Sequence, residues 1–365
     1  MMEIEEKIKE IEEEIRRTPY NKATQHHIGI LKAKLAKLRD ELESRQAKKG
    51  GTGFSVRKQG DATVIMVGPP SVGKSTLLNA LTNAESKVGE YDFTTLNVIP
   101  GMLEYKGAQI QLVDIPGIIT GAGKGKGRGK EILSVARIGD LILIMGENAK
   151  QIDETMKELY NAGIRINKKV PDVKIKKKDS GGISVVYSKE STRKKLDEKT
   201  IKQIMSAYGY HNAEVIINDD IDVEGFLDAL LANRRKFVKG LVVITKLDKK
   251  TKNEIQDIVR YYPSAIFVSA KNGKGINELK EKIFEALELI RVYTKKIGEK
   301  PKMDKPMILR KGNTIRDMCK RIHKDFVTKF KYAKVWGDSV KFPGQTVGLD
   351  HKLKDNDVVE LHIRK

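Results

Sequence analysis

Apolar residues recur along the first 46 positions at spacings of three and four. Ile4, Ile8, Ile11 and Ile15 make one series, and Ile28, Leu31, Leu35, Leu38 and Leu42 another. That period places each series on one helical face. Thr18, Pro19, Tyr20 and Asn21 separate the two, so residues 1–47 are expected to form a helical hairpin. A hairpin this short hides one seam by packing on itself. Any remaining apolar surface is free to dock on the central domain or a partner. Residues 48–53, rich in lysine and glycine, read as a linker.

From residue 61 the period changes. Continuous apolar runs of strand length occur at 62–68, 109–113, 140–145, 240–244 and 265–268, with helical patterns at 76–82 and 151–160. Runs without polar alternation suit strands buried on both faces, as in a mostly parallel sheet flanked by helices. The expected fold class is therefore α/β. The run at 140–145 and its following helix should lead quickly to another strand, yet that strand arrives only at 241. A compact domain does not carry a structureless loop that long. Residues 165–236 are thus expected to be an inserted α+β subdomain, dividing the central domain into 61–164 and 237–290. Within the insert, strand-like stretches at 168–178 and 182–187 precede helical patterns at 197–208 and 223–231. The last domain, 291–365, shows strands at 292–297 and 306–309, a helix at 314–330, and strands at 332–336 and 358–363. That ββαβ…β order suggests a ubiquitin-like β-grasp.

Charge adds a partner class. The 365 residues carry 70 Lys+Arg against 49 Asp+Glu, a formal net charge of +21. Such an excess favours polyanions such as RNA or an anionic membrane surface, although a Lys/Glu-rich solvated surface gives the same count. The single cysteine, Cys319, excludes an internal disulfide, fits a reducing cytoplasm, and reads as a buried helix residue. No apolar run approaches the roughly 20 residues that span a bilayer, and the charged N-terminus lacks a secretory pattern. The six histidines are scattered without zinc spacing. A cytoplasmic protein without a membrane partner, monomeric when free, is expected.

The candidate chemistry begins at Gly68, Pro69, Pro70, Ser71, Val72, Gly73, Lys74 and Ser75, which fit G-x-x-x-x-G-K-[ST] between a strand pattern and a helix opened by Thr76. Glycines let backbone N–H groups close around phosphate oxygens, and the helix N-terminus adds partial positive charge. Lys74 would reach the β- and γ-phosphates, and the Ser75 hydroxyl would ligate Mg²⁺. Asp114-Ile115-Pro116-Gly117 fits D-x-x-G: Asp114 would hold Mg²⁺ through a water, and the Gly117 N–H would meet the γ-phosphate. Tyr91–Leu96 occupies the first switch position, where Thr95, favoured over Thr94, would complete the metal shell. The candidate catalytic set is Lys74, Thr95 and Gly117; the candidate metal set is Ser75, Thr95 and Asp114. Both switch segments would be held by the γ-phosphate and released on its departure.

The base is read further along. Thr245, Lys246 and Asp248 form T-K-x-D after one apolar run, and Ser269, Ala270 and Lys271 form S-A-K after the next. Asp248 would accept from guanine N1–H and the exocyclic amine, donors that adenine does not present in that arrangement. The Lys246 stem would cover the ring, and the Ala270 N–H would donate to O6. Thr245 replaces the usual asparagine; its hydroxyl could still tie this turn to the phosphate loop. Ile118 follows Gly117 where many small GTPases place a water-orienting glutamine, so slow intrinsic hydrolysis is expected. The following stretch interleaves glycines with Lys124, Lys126, Arg128 and Lys130, an arm suited to phosphate.

The phosphate loop, Y-D-F-T-T-L, D-I-P-G-I-I-T-G-A with its basic glycine run, T-K-L-D, S-A-K-N-G and the C-terminal K-Y-A-K-V-W-G-D-S-V-K together resemble the developmentally regulated GTP-binding proteins, in the Obg-like class of translation-associated P-loop GTPases. The resemblance spans nearly the whole chain. It implies binding of GTP and GDP, Mg²⁺-dependent hydrolysis, and association with ribosomes or RNA through the basic second-switch arm, the insert and the last domain. The insert of relatives resembles a fold of ribosomal protein S5, and the last domain resembles a TGS domain. In that domain Lys320, Arg321, Lys324, Lys329, Lys331 and Lys334 are candidate phosphate contacts, and Trp336 is either a stacking platform or core. Eukaryotic relatives also bind a dedicated regulatory protein. Some relatives use K⁺, held partly by an asparagine where Ser71 stands, which leaves potassium use open. An alternative to the enzyme is a GTP-sensing adaptor in which hydrolysis is incidental.

Overall fold

In the computed structural model, residues 2–19, 21, 24–48, 58–82, 99–114, 137–301 and 303–364 are described. They fall into two compact units. One gathers the N-terminal helices and residues 160–237; the other holds the remaining described residues. Along the chain come α1 (Met2–Arg17), α2 (Gln25–Lys48), β1 (Ala62–Val67), α3 (Lys74–Leu81), β2 (Ile99–Tyr105), β3 (Ala108–Asp114), β4 (Leu141–Gly146) and α4 (Ala149–Asn161). There follow β5 (Ile164–Ile166), β6 (Val173–Lys177), β7 (Ile183–Tyr187), α5 (Glu190–Lys195), α6 (Glu198–Ala207), β8 (Ala213–Ile217), α7 (Val223–Leu230), β9 (Lys236–Ile244), α8 (Lys252–Tyr261), β10 (Ile266–Phe267) and α9 (Ile276–Ala286). The last elements are β11 (Leu289–Lys295), β12 (Met307–Arg310), α10 (Ile315–Ile322), α11 (Asp325–Thr328), β13 (Phe330–Trp336), β14 (Gln345–Val347) and β15 (Asp357–Ile363).

The central sheet has the order β10-β9-β4-β1-β3-β2. Its first five strands in that order run parallel, and β2 is antiparallel to β3. Every residue of β1 and β4 is buried, which explains their unbroken apolar sequences. Leu77, Leu78 and Leu81 of α3 and Ile276, Leu279, Ile283 and Phe284 of α9 fill the same core. Each such side chain contributes about 2 kcal/mol on burial.

The C-terminal sheet, in the same unit, has the order β12-β11-β15-β13-β14. Ile315, Met318 and Cys319 of α10 close its core with Val292, Val335 and Val359. Cys319 is buried in a helix, as expected. The expected helix over 314–330 is shorter. It stops at Ile322, His323 turns extended, and Phe326 and Val327 reach the core from the separate turn α11. Strand β14 was missing from the expected pattern. Trp336 is half-buried, with Lys295 Nζ 4.4 Å from its ring centroid.

This domain meets the central sheet where the strands begin. Asp140, just before β4, accepts from Arg310 at 2.8 Å and Lys58 at 3.3 Å on Oδ1, and from the Thr63 N–H at 2.9 Å on Oδ2. Asp61, just before β1, pairs with Arg321 and accepts from the Gln109 N–H. Arg321, a candidate phosphate contact by sequence, is thus engaged within the chain. Leu289 and Ile308 extend the central core toward the last domain.

In the other unit the insert forms a sheet of order β6-β8-β7, covered by α6 and α7. Strand β8 and helix α5 were not expected. Helix α2 packs against α1 and also against α6 and α7, so the hairpin docks on the insert rather than only on itself. Gly29, Ala33 and Ala36 make this possible: a Cβ at Gly29 would lie 3.1 Å from Thr200 Cγ2, and Ala33 and Ala36 join the insert core. Lys32 pairs with Glu224, and Lys37 Nζ donates to the Ala207 carbonyl at 2.8 Å.

Burial pushes the Asp140 carboxyl up, but Arg310, the Thr63 N–H and Lys58 together hold it below the usual aspartate range. A depressed carboxylate contributes stability that is present above its unfolded value and lost as pH falls through its folded one. D140N is expected to lower unfolding free energy by about 2 kcal/mol at neutral pH. The gap from wild type should close in urea titrations carried below the ordinary aspartate range; a pH-independent gap would refute the assignment.

Candidate nucleotide site

The loop from Gly68 to Gly73 leaves the sheet at the end of β1. A Cβ on Gly68 would lie 2.5 Å from the Met145 carbonyl oxygen, so only glycine lets the chain turn against β4 here. Gly73 has φ 93°, and a Cβ there would meet nothing within 4 Å among the described residues. Its requirement is conformational, and the space beside it is open. Ser71 also adopts a left-handed backbone, with φ 62°. Val72 is buried and anchors the loop to the core. Pro69 is half-buried and Pro70 exposed, while Thr76 is exposed on α3.

Lys74 Nζ donates to the Gly68 and Pro69 carbonyls, each at 3.0 Å. Its side chain is therefore curled over the loop. Burial lowers its pKa, and Asp114 opposes that. An added anion would favour the charged form.

Ser75 Oγ donates to Asp114 Oδ2 at 2.9 Å, joining the start of α3 to the end of β3. Asp114 Oδ1 is buried without a hydrogen-bond partner among the described residues. Burial raises the Asp114 pKa, against the Ser75 hydrogen bond and Lys74. An unpaired buried carboxylate oxygen costs about 1–3 kcal/mol, and a divalent cation beside the Ser75 hydroxyl would remove that cost. The donor set, hard oxygens from one hydroxyl and one carboxylate, suits Mg²⁺ together with phosphate oxygens and water. The two residues present thus fit the metal named from sequence.

At the far end, Thr245 Oγ1 donates to the Val72 carbonyl at 2.8 Å. The hydroxyl standing in for asparagine therefore does tie this turn to the phosphate loop. Lys246 is left-handed, with φ 54°, and leads into the single turn Leu247–Lys249 that carries Asp248. The Leu247 N–H donates to the Val268 carbonyl at 3.1 Å, and Ser269 Oγ donates to Asp248 Oδ1 at 2.5 Å. The Ser269 hydroxyl is first among the causes holding the Asp248 carboxyl below its usual range. An ionised acceptor is what two guanine N–H donors require. Ala270 packs half-buried on the central core and Lys271 is exposed. Gly275 passes so close to the Phe267 carbonyl that a Cβ would lie 2.1 Å from its oxygen, which fixes the return of this loop.

The structure thus brings the G-x-x-x-x-G-K-S loop, Asp114, T-K-x-D and S-A-K to one edge of the sheet. Thr94, Thr95, Gly117, Ile118 and the basic run through Lys130 lie outside the described residues. Sequence reasoning missed Glu147, which pairs with Lys246 Nζ. Its only signal was its place directly after the buried run of β4.

Residues 63–178 match the family described as 50S ribosome-binding GTPase, 180–289 the C-terminal region of MMR_HSR1 domain, and 290–363 the TGS domain. The chain is 51% identical to a GTP-binding protein of Methanocaldococcus jannaschii, over all of this chain and 94% of that protein. It is 44% identical to GTP-binding protein 1 of Schizosaccharomyces pombe and 43% identical to human developmentally-regulated GTP-binding protein 2, over 99% of each chain.

The Thr245–Val72 bond makes a specific demand. T245V keeps the shape and deletes the donor, and should weaken GDP binding about tenfold by calorimetry, the equivalent of one lost buried hydrogen bond. T245S should retain most of the affinity. Unchanged binding in T245V would show that the strut is idle.

Proposed function

The chain belongs to the family of developmentally regulated GTP-binding proteins, and from that premise we propose that it is a Mg²⁺-dependent switch that acts on ribosomes or RNA in translation. It is a P-loop GTP hydrolase with a TGS domain. The reaction is attack of water on the γ-phosphorus, giving GDP and phosphate.

The observation that carries the proposal is that Asp114 Oδ2 accepts from the Ser75 hydroxyl while its buried Oδ1 has no partner among the described residues, beside a lysine that donates to two loop carbonyls. Bound Mg²⁺ would offset charge on the β- and γ-phosphate oxygens. Ser75 and Asp114 would hold the metal, Lys74 would exchange its carbonyl partners for phosphate oxygens, and the loop amides would cradle the β-phosphate. Asp248 would select guanine, with its second carboxylate oxygen free of the Ser269 bond. Thr95 and Gly117 would respond to the γ-phosphate. Ile118 offers no hydrogen bond to the attacking water, so turnover by the isolated chain is slow and a partner, a ribosomal contact or a cation such as K⁺ supplies the missing orientation.

The polyanion part of the reading rests on charge and on the family description. The net charge is +21, and Lys168, Lys169, Lys174, Lys176 and Lys177 of the insert are exposed. So are Lys320, Lys324, Lys329 and Lys331 of the last domain. The basic second-switch arm would join them, and a dedicated regulatory protein is a further expected partner. No helix among the described residues is long and apolar enough to cross a membrane; a cytoplasmic monomer is the proposed free state.

The second reading, a GTP-sensing adaptor with incidental turnover, is favoured by Ile118 alone. One experiment addresses both. Co-sedimentation with ribosomes in a GTP analogue should exceed that in GDP and fall steeply with added salt, and ribosomes should speed single-turnover hydrolysis. Nucleotide-dependent binding without stimulation supports the adaptor. Absence of binding in either nucleotide state would sink the translational role.

A further inference from the structure

Glu147 is the first residue beyond β4, and no nucleotide-binding motif marks it. We infer that it is a positioning residue for the purine: its carboxylate holds Lys246 so that the lysine stem lies ready across the face of the base. The inference rests on the guanine reading of the Thr245–Asp248 turn.

Strands β4 and β9 are parallel neighbours with Gly146 opposite Ile244, so Glu147 and Thr245 leave the sheet side by side. The Thr245 N–H donates to the Gly146 carbonyl at 3.0 Å, which locks the two exits together. Glu147 is itself pinned. Its N–H donates to Gln151 Oε1 at 2.8 Å, and the Gln151 N–H donates to Asn148 Oδ1 at 3.0 Å. Gly146 permits the close approach of α4, since a Cβ there would lie 2.8 Å from Ile152 Cδ1. The carboxylate therefore projects from a fixed point, and Lys246 Nζ reaches it at 2.5 Å.

Both side chains are 33% exposed. At that exposure the Coulombic attraction is weak, so the pair matters through geometry. Lys246 has a left-handed backbone that sets where its stem starts, and the carboxylate sets where it ends. An untethered lysine samples many rotamers, and ordering it would be charged against nucleotide binding. Tethering at Glu147 removes that freedom beforehand. A plain surface ion pair would have no such consequence for the nucleotide.

The test uses the full chain with Mg²⁺ in excess and follows release of a fluorescent N-methylanthraniloyl GDP. E147A should release it on the order of fivefold faster. E147Q, whose amide oxygen still accepts from the ammonium, should recover most of the wild-type rate. In a K246A background, E147A should add nothing. The fold-change should be the same for the matching inosine diphosphate, which lacks only the exocyclic amine read by Asp248. Wild-type release from E147A, an undiminished E147A effect in K246A, or an effect confined to guanine would each overturn the inference. Failure of the wild-type chain to bind GDP at all would instead strike the guanine reading beneath it.

Discussion

Parallel pairing is the constraint on which the site depends. When β1, β3, β4, β9 and β10 run in one direction, every loop that follows them emerges on one edge of the sheet. Residues as distant as Gly68 and Ser269 are thereby brought to the same edge without any side chain having to reach far. The register then sets the details. Gly146 opposite Ile244 puts Thr245 within reach of Val72, so the Thr245–Asp248 turn is tied to the phosphate loop.

The two ends of the same strands treat aspartate in opposite ways. Where the strands begin, Asp140 and Asp61 are satisfied by Arg310, Lys58, Arg321 and backbone amides, and they fasten the C-terminal domain to the sheet. Where β3 ends, Asp114 keeps one buried oxygen without a partner among the described residues. On the proposed reading, the divalent cation held with Ser75 would be the partner of this oxygen. One end of the strands holds a second domain, and the other carries the candidate site.

Much of this was legible in the residues. Buried parallel strands have unbroken apolar sequences, and loops that cradle phosphate need glycine at fixed intervals, so β1, β4 and the loop between Gly68 and Gly73 could be found by pattern. What escaped pattern was set by partners distant in sequence. Helix α2 uses Gly29, Ala33 and Ala36 as a second contact face, and small residues carry no strong hydrophobic signal although they permit the closest packing. Strand β14 has three residues, too few to show a period. The helix after Thr314 keeps its apolar spacing beyond Ile322, but the backbone turns and delivers Phe326 and Val327 to the same core by another route. Glu147 owes its role to the strand beside it, which one sequence in isolation does not name.

The threonine at 245 shows how a local departure is absorbed. An asparagine amide has two protons to donate; a threonine hydroxyl has one. That one is given to the Val72 carbonyl at 2.8 Å, while the Gly146 carbonyl, 3.5 Å from the same hydroxyl, is bonded instead by the Thr245 N–H. That backbone bond continues the β4–β9 ladder by one residue. The turn gains further support from the Leu247 N–H on the Val268 carbonyl and from Ser269 on Asp248. Its remaining loose part is the lysine stem, and that is the part Glu147 holds. The turn that carries Asp248 is thus held by several weak ties from three strand ends.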